Sequence, residues 1–288
     1  GAVADPQLTL GGTIAGTVTA EESGAPLTNT YVSLYLYDEE SDSWYWASGG
    51  TTDEAGAYSF GSLAHGTYRA GFQDNDGVYL PEYYNGSAGF RGATDIVVDS
   101  TPETGINASL VRGGQISGFV VDSDSLGGVD GAVVVPARYD PWAGTWSSDW
   151  GLSTHADATG AFAVTGLAPA TYRFQVQATG YVTEWWEDAP NVELGTSWTV
   201  TDDTLQTGLD FEIDRTGSVS GTVYDLGSTP LSNVSVMAQT LAVDSSGGKY
   251  WTNVISAVSD GSGAYTIANM IPGTYRLRFY DQNAAPPY

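Results

Sequence analysis

Short runs of alternating apolar and polar residues recur along the whole chain. In the first run, at 12–18, Ile14 and Val18 fall on one side of an extended backbone, and small or polar residues fall on the other. A period of two is the signature of a strand with one buried face. Further runs of this kind follow in the first third of the chain, at 31–37, 44–48, 57–60, 68–72, 94–98 and 106–111. No helical periodicity interrupts them, so the pattern predicts an all-β chain.

The pattern repeats with a period near 103 residues. The tyrosines of three Tyr-Arg pairs are 104 and 103 residues apart, and the glycines that open each unit are 102 and 103 residues apart. The tyrosines are Tyr68, Tyr172 and Tyr275, and the glycines are Gly12, Gly114 and Gly217. A fixed long period indicates a tandem array. We therefore predict an N-terminal arm at 1–11 and three repeats at 12–112, 113–215 and 216–288, the third without its last two strands.

An Asp, a Gly and an aromatic residue precede each Tyr-Arg pair. In the first repeat these are Asp53, Gly56 and Tyr58. An Asp at the head of a tight turn accepts a hydrogen bond from the backbone N–H two residues on, and Gly tolerates a positive φ. We expect each motif to close a turn into the next strand. The arginines of the pairs should point away from the core; they are Arg69, Arg173 and Arg276.

Many short strands with frequent turn signals are typical of an antiparallel β-sandwich. Linkers are nearly absent, since Val111 leads through Arg112 and Gly113 directly into Gly114. Short connections favour a stiff arrangement over flexibly joined units. The predicted fold is all-β, with tandem antiparallel sandwiches in a rod.

The first repeat carries three short motifs, which are Gly12-x-Ile14-x-Gly16-x-Val18, Asp53-x-x-Gly56-x-Tyr58-x-Phe60 and Leu63-x-x-Gly66-x-Tyr68. They resemble the carboxypeptidase regulatory-like domain, an immunoglobulin-like or transthyretin-like sandwich related to the B-type repeats of bacterial collagen adhesins. The resemblance implies a structural accessory rather than a defined activity. The stretch 82–86 looks like secreted actinobacterial versions, some of which occur in proteins labelled as amylases. Some adhesin repeats are locked by a Lys-to-Asn isopeptide bond. The only lysine here is Lys249, in a Gly-rich loop of the third repeat, so the first two repeats cannot form such a bond.

Composition narrows the functional classes. The chain has 34 acidic and 9 basic residues, for a net charge of -25. Nucleic acids and anionic membranes both require a basic surface, so neither is an expected partner. No apolar run approaches the ~20 residues of a membrane helix. Cysteine is absent, and the two histidines, His65 and His155, stand in different repeats, which disfavours thiolate chemistry and a histidine zinc site. We expect a secreted or cell-surface protein.

Calcium is one candidate ligand. Asp74 and Asp76 begin a loop that also contains Asn75 and Gly77. A calcium loop needs about 6 converging oxygens with carboxylates at alternate positions. The next alternate position is Val78, so the sequence favours an ordinary turn over a metal site.

Polysaccharide is a second candidate ligand. The pair Trp185 and Trp186 lies 102 residues after Tyr83 and Tyr84, and sugar rings stack on exposed aromatic faces. If this segment is extended, the two aromatic residues of each pair point to opposite faces. The alternative is that these rings fill the core or shield the joints between repeats.

Catalytic motifs are weak or missing. The sequence has no Gly-x-Ser-x-Gly elbow and no phosphate-binding loop. Acidic residues such as Glu184 and Glu187 have the chemistry of a glycosidase pair, but such spacings are common in acidic loops. We expect no enzyme activity and no cofactor.

The N-terminal arm resembles the end of a last strand. Ala4, Pro6 and Leu8 stand at the same offsets before Gly12 as the apolar residues of a final strand before the next repeat. One hypothesis is head-to-tail strand donation, in which the arm covers the open edge of another copy's third repeat. Pro6 argues against it, because proline donates no ladder hydrogen bond; a sequence cut at residue 288 is the simpler explanation.

These observations favour a non-catalytic extracellular structural or adhesive protein that associates with itself or with other surface proteins. The alternative is a carbohydrate-binding accessory region of a secreted polysaccharide-degrading enzyme.

Overall fold

Residues 10–282 are described by the structure, a computed structural model. They are almost entirely β, as the alternating pattern predicts, and each repeat forms two sheets. The strands of the first repeat are β1 Gly12–Ala20, β2 Thr30–Asp38, β3 Ser43–Thr51, β4 Ala57–Leu63, β5 Gly66–Asp74, β6 Glu82–Tyr83, β7 Ile96–Val98, β8 Glu103–Thr104 and β9 Ala108–Leu110.

The second repeat follows the same order with one division. Its strands are β10 Gly114–Asp122, β11 Val133–Asp140, β12 Thr145–Ser148, β13 Thr154–His155, β14 Ala161–Leu167, β15 Ala170–Gln177, β16 Glu184–Trp185, β17 Trp198–Val200, β18 Leu205–Thr207 and β19 Phe211–Ile213. In the third repeat the strands are β20 Gly217–Thr222, β21 Val234–Val243, β22 Lys249–Val258, β23 Ala264–Met270 and β24 Arg276–Asp281. Within residues 10–282, three short 3-10 helices lie at Phe90–Gly92, Trp150–Leu152 and Val192–Leu194.

Two sheets face each other in the first repeat. One has the order β4-β1-β8, with β9 also on β1, and the other has the order β3-β2-β5-β6, with β7 also on β5. Pairing is antiparallel except that β8 and β9 run parallel to β1. The final strands thus run beside the first strand in the same direction, a pairing that alternation alone does not reveal.

The core between the sheets contains the residues that the period-two pattern assigns to it. Ile14 and Val18 of β1 are fully buried, and so are Tyr68, Ala70 and Phe72 of β5. The second repeat has an equivalent core around Ile116, Val120, Tyr172, Phe174 and Val176. Each such side chain removes apolar surface from water, which is the main stabilising contribution to a sandwich.

The Asp-Gly motif forms the turn that the sequence predicts. Asp157 Oδ1 accepts hydrogen bonds from the backbone N–H groups of Thr159 (2.8 Å) and Ala161 (3.1 Å). Asp53 and Asp260 make the same pair of bonds in the other repeats. The motif's glycine has a positive φ each time, of 69°, 83° and 74°. The Thr159 hydroxyl also donates to Asp157 (2.6 Å), and this bond is the largest cause of a lowered pKa at Asp157, followed by the bond from Thr159 N–H.

The predicted strand at 146–153 is divided in the structure. In its place stand β12, a 3-10 helix and β13, all beside β11. Pro136 lies in β11 opposite this break, and its carbonyl accepts a hydrogen bond from Asp149 N (2.8 Å). Its ring nitrogen has no hydrogen to donate to a neighbouring strand. Because Pro136 has no backbone N–H, the break in the strand beside it leaves no unpaired donor at this position.

Within residues 10–282, the third repeat has fewer paired strands than the first two. Its first strand, β20, pairs only with β23, whereas β1 and β10 each pair with two further strands on the other side. Phe279 of β24 is 50% exposed, while Phe72 at the same position of the first repeat is 1% exposed. Phe279 thus keeps contact with solvent, whereas Val236, Ala238 and Ile267 of the same repeat are buried.

The chain leaves each of the first two repeats along a fixed path. Leu80 N donates to Val111 O (2.8 Å) and Gly113 N donates to Val78 O (3.0 Å), and β10 begins at Gly114. The second repeat has the same arrangement, since Val182 N donates to Asp214 O (2.8 Å) and Thr216 N donates to Gly180 O (2.8 Å) before β20 begins at Gly217. Backbone hydrogen bonds thus tie both exits to the repeat that the chain is leaving.

Repeats one and two also touch directly. Asp203 N donates a hydrogen bond to Arg112 O (3.1 Å), and the Arg112 guanidinium lies 3.9 Å from the Asp203 carboxylate. A Cβ atom on Gly166 would stand only 2.6 Å from Gly77 O. The first joint is therefore close enough that a glycine is needed on one side of it.

Candidate functional site

Every repeat stacks the Arg of its Tyr-Arg pair on a Trp from the neighbouring hairpin. The guanidinium carbon lies 4.4, 4.2 and 4.4 Å from the Trp ring centroid in the three repeats. The pairs are Arg69 with Trp44, Arg173 with Trp146, and Arg276 with Trp251. A cation over an aromatic face is attracted to it. The arginines thus lie on the outer sheet face, as predicted, but their partners were not predicted.

In the first repeat this stack grows into a larger aromatic cluster around Phe90. The ring of Phe90 meets the rings of Tyr35, Trp44 and Tyr83 edge to face, at centroid distances of 5.1, 5.6 and 5.4 Å. Arg69 also donates to Phe90 O (3.0 Å) and, through Nε, to the Asp95 carboxylate (2.7 Å). Edge-to-face packing is a favoured arrangement of aromatic rings, so the four rings support one another as one packed surface.

A groove of about 380 Å³ lies beside the cluster. Its walls include Tyr31, Tyr35, Trp46 and Tyr83, and its floor is Gly71. A Cβ atom at Gly71 would stand 2.9 Å from both Ser33 Oγ and the Tyr83 ring, so the absent side chain allows the tyrosine to lie on the backbone. Tyr83, one of the predicted sugar-binding residues, thus forms one wall of this groove.

The second repeat closes the same position with its own side chains. Ala137 and Gln175 replace Tyr35 and Gly71. Trp185, the counterpart of Tyr83, is only 8% exposed and packs with Ala137, Ala189 and Trp146. The structure therefore places Trp185 in a small satellite core.

Trp186 and Tyr84 lie on the opposite side of the strand from their neighbours. Trp186 packs against the core of its repeat, meets Trp198 at 5.0 Å, and its indole N–H donates to Asp210 O (3.0 Å). Tyr84 packs against the core of the first repeat. The four predicted residues thus do not form one surface, and sugar binding by the complete set stays a prediction.

Asp74 organises the loop in which the calcium prediction falls. Its buried carboxylate accepts hydrogen bonds from the N–H groups of Asp76 (3.2 Å), Val78 (2.9 Å) and Tyr79 (3.1 Å). Asp76 accepts one from the Asn29 side chain (3.3 Å). No cluster of three His, Asp or Glu side chains suited to a metal occurs within residues 10–282. Calcium binding here stays a prediction.

A polar cluster closes the end of the second repeat. Asp122 is buried and accepts hydrogen bonds from Ser125 N (2.8 Å) and Tyr181 Oη (2.9 Å), and it pairs with Arg215. Arg215 also lies 5.1 Å from the Tyr181 ring centroid. The Ser125 hydrogen bonds are the largest cause of a lowered pKa at Asp122, followed by Tyr181 and the Arg215 charge.

The two acidic residues considered for catalysis have different surroundings. Glu184 is half-buried, and burial, together with the charges of Asp188 and Asp214, raises its pKa to about 7. Glu187 accepts a hydrogen bond from the Thr196 hydroxyl. A carboxyl with a raised pKa alone does not form a catalytic pair, because the pair requires a second acid across a bound substrate.

The predicted donor residues Ala4, Pro6 and Leu8 lie outside the described residues. Across residues 10–282, no helix is long and apolar enough to span a membrane.

Sequence reasoning missed the Arg–Trp stacks and the groove. A signal for the stacks was present, because each Trp precedes its Arg by 25, 27 and 25 residues. The groove left no such signal, since it arises from the absence of a side chain at Gly71 on one strand and from aromatic residues on three others.

Comparison with known proteins gives distant likenesses. The family model described as polysaccharide lyase family 4, domain II matches residues 215–288. No curated protein matches the sequence.

Several solved structures resemble this chain at low identity. A streptococcal ancillary pilin is 13% identical, with 93% of this chain and 89% of that chain covered and a TM-score of 0.38. GBS52, the minor pilin of Streptococcus agalactiae, is 17% identical, with 70% and 95% covered and a TM-score of 0.32. The Bacillus anthracis TIE protein is 14% identical with a TM-score of 0.28; 94% of this chain is covered, but the chain spans only 45% of that protein's length. Likenesses at this level transfer no function.

Proposed function

We propose that this protein is a non-catalytic structural and adhesive element outside the cell, in which β-sandwich repeats form a stiff rod. The observation that carries this proposal is the construction of the joints. Each exit is fixed by two backbone hydrogen bonds immediately before the next strand begins. A joint without a free linker restricts bending, which suits a protein that holds something at a distance from its point of attachment.

The acidic surface is compatible with this role. A net charge of -25 keeps an extended protein soluble and disfavours its adsorption to nucleic acids and anionic membranes.

The finer part of the proposal is self-association by strand donation. Along β20 the outer edge is unpaired within residues 10–282, and Phe279 stands half-exposed on the neighbouring sheet. Unpaired edges of this kind accept strands from other chains. We propose that the arm of a second copy, with Ala4, Pro6 and Leu8, adds to the same edge where it continues past β20 at 223–225. There it would run parallel to β20, as β9 runs beside the end of β1.

Two variants test strand donation, one by removing the donor arm and the other by blocking the acceptor edge. One lacks residues 1–10 and so has no donor. The other is Thr222→Pro. Its counterpart Thr17 donates its N–H away from β4 to the Asn107 side chain, so the proline should block the outer edge of β20 and leave the β20–β23 ladder in place.

Light scattering and negative-stain imaging give the readout. The intact chain should form fibres that grow with concentration, each variant alone should stay monomeric, and their mixture should stop at dimers. Monomers in every sample would refute donation. Rod stiffness is tested independently by small-angle scattering of the monomeric variants, where a flexible chain profile would refute the rod.

A further inference from the structure

We infer that the groove on the outer sheet face of the first repeat binds an uncharged oligosaccharide. This inference goes beyond the proposed structural role and does not depend on self-association. It rests on the aromatic walls, the unused polar groups and the charge of the groove.

The aromatic walls supply flat apolar surfaces. Trp46 is 57% exposed, and Tyr31, Tyr35 and Tyr83 around it are partly exposed. The C–H face of a pyranose ring packs on such surfaces in the same way as other apolar groups. Exposed aromatic residues that line a concave surface, rather than standing singly, mark a binding site.

Several polar groups of the groove are free to hydrogen-bond with a ligand. The hydroxyls of Tyr31, Tyr35 and Tyr83 and the carboxamide of Gln73 have no hydrogen-bond partner among residues 10–282. Together they offer both donors and acceptors. A ligand rich in hydroxyl groups satisfies them, whereas an apolar peptide side chain does not.

The packing behind two walls of the groove favours binding of a ligand that makes weak individual contacts. Tyr35 and Tyr83 are both held edge to face by Phe90, which is itself held by Arg69. Fixed walls lose little entropy when a ligand binds. Sugars form modest contacts, so this saving matters.

Charge selects the class of sugar. Glu82 is the charged residue that lines the groove; its carboxylate accepts a hydrogen bond from Ser109 N (3.3 Å) in the other sheet, and the chain as a whole is strongly acidic. An anionic glycan such as a polyuronate is repelled by this surface. The ligand expected is therefore a neutral hexose or pentose polymer.

Affinity electrophoresis of the variant lacking residues 1–10 tests the inference. The probes are soluble α-glucan, β-glucan, xylan and mannan, with polygalacturonate as the anionic comparison. At least one neutral glycan should retard the protein. Trp46→Ala should weaken this binding about tenfold, equivalent to about 1.4 kcal/mol, and Gln73→Ala should weaken it to a smaller extent.

Trp150→Ala is the matched control, because Trp150 is 56% exposed but lies on the second repeat, away from the groove. It should bind as the unmodified protein does. The inference is overturned if no neutral glycan binds, if binding survives Trp46→Ala, if Trp150→Ala loses it equally, or if only polygalacturonate binds. Circular dichroism spectra of the variants establish that each is folded. Electrophoresis does not depend on fibre formation, so its result and that of the assembly experiment are independent.

Discussion

At the scale of single residues, glycines in the Asp-Gly turn are required for two separate reasons. Gly160 has a φ of +83°, and a Cβ atom there would stand 2.2 Å from Val120 O. The sequence predicts the first reason, because Gly at this position of a turn favours positive φ. It does not predict the second, because Val120 is brought to the turn only by the pairing of β10 with β14.

Gly160→Ala should therefore destabilise the second repeat strongly. Conformational strain and backbone overlap together should cost about 3 kcal/mol or more. Gly144→Ala is the control, since Gly144 has a φ of +67° and a methyl group added there would have nothing within 4 Å. It should cost about 1 kcal/mol. Hydrogen exchange measured by mass spectrometry on β10 and β14 separates the two; equal effects would show that the overlap with Val120 does not matter.

The Arg–Trp stacks illustrate a contact between residues that the sequence displays without explaining. Nothing in the sequence next to Arg173 indicates a partner for it. Trp146 lies in a stretch that the pattern predicts to be one aromatic strand. They meet because β12 and β15 flank β11 in one sheet. Sheet order is a property of the whole repeat, and therefore the pairing follows only from the tertiary structure.

At the scale of elements, β6 and β16 show how one motif takes two roles. Both begin with a half-buried Glu followed by aromatic residues, and burial raises the pKa of both Glu82 and Glu184. On the outer face, however, Tyr83 lines a groove and Trp185 fills a small core. The difference lies in the strands beneath, where Gly71 and Tyr35 are replaced by Gln175 and Ala137.

Glu184 should make the stability of the second repeat depend on pH. Its pKa is about 7 in the folded protein and near the ordinary value of 4.5 when unfolded. Between these values the folded state binds more protons, so the free energy of unfolding should fall as the pH rises from about 4.5 to about 7. Thermal unfolding of the unmodified chain and of Glu184→Gln across this range gives the measurement.

Glu184→Gln removes the titrating group and should flatten that part of the profile. Glu187→Gln serves as the control, because Glu187 is exposed. A profile unchanged by Glu184→Gln, or flattened equally by Glu187→Gln, would contradict the assignment.

At the scale of the whole molecule, the first joint depends on the close approach of two glycines. Gly166 occupies a left-handed position that is filled by Ser62 and Asn269 in the other repeats. In the second repeat this position faces Gly77 of the preceding repeat, whereas Asn269 in the third is exposed. The repeats thus differ where their surroundings differ, although their turns have the same conformation.

Gly166→Asn should loosen this joint without unfolding either repeat. Asparagine tolerates the left-handed conformation, but its side chain would overlap Gly77 O. Because the chain has no cysteine, a single cysteine introduced at an exposed position in each of the first two repeats takes a spin label without competing sites. Distances between the labels should become broader in Gly166→Asn, and Asn269→Gly is the control. A distribution as narrow as in the unmodified chain would indicate that the joint does not rely on this contact.

The sequence alone determined the properties that depend on local order along the chain. These are the all-β class, the period near 103, the core-facing residues of β1 and β5, and the Asp-Gly turns. Each follows from residue alternation or from the conformational preference of one or two residues. The repeat boundaries follow from the same spacing and stay a prediction.

Only the tertiary structure decided which strands lie side by side and what their neighbours leave uncovered. The parallel addition of β8 and β9 to β1, the Arg–Trp stacks and the groove over Gly71 all join residues distant in sequence. Alternation tells which face a side chain occupies but not which strand lies next to it. A site assembled from four strands is therefore invisible until the sheet is formed.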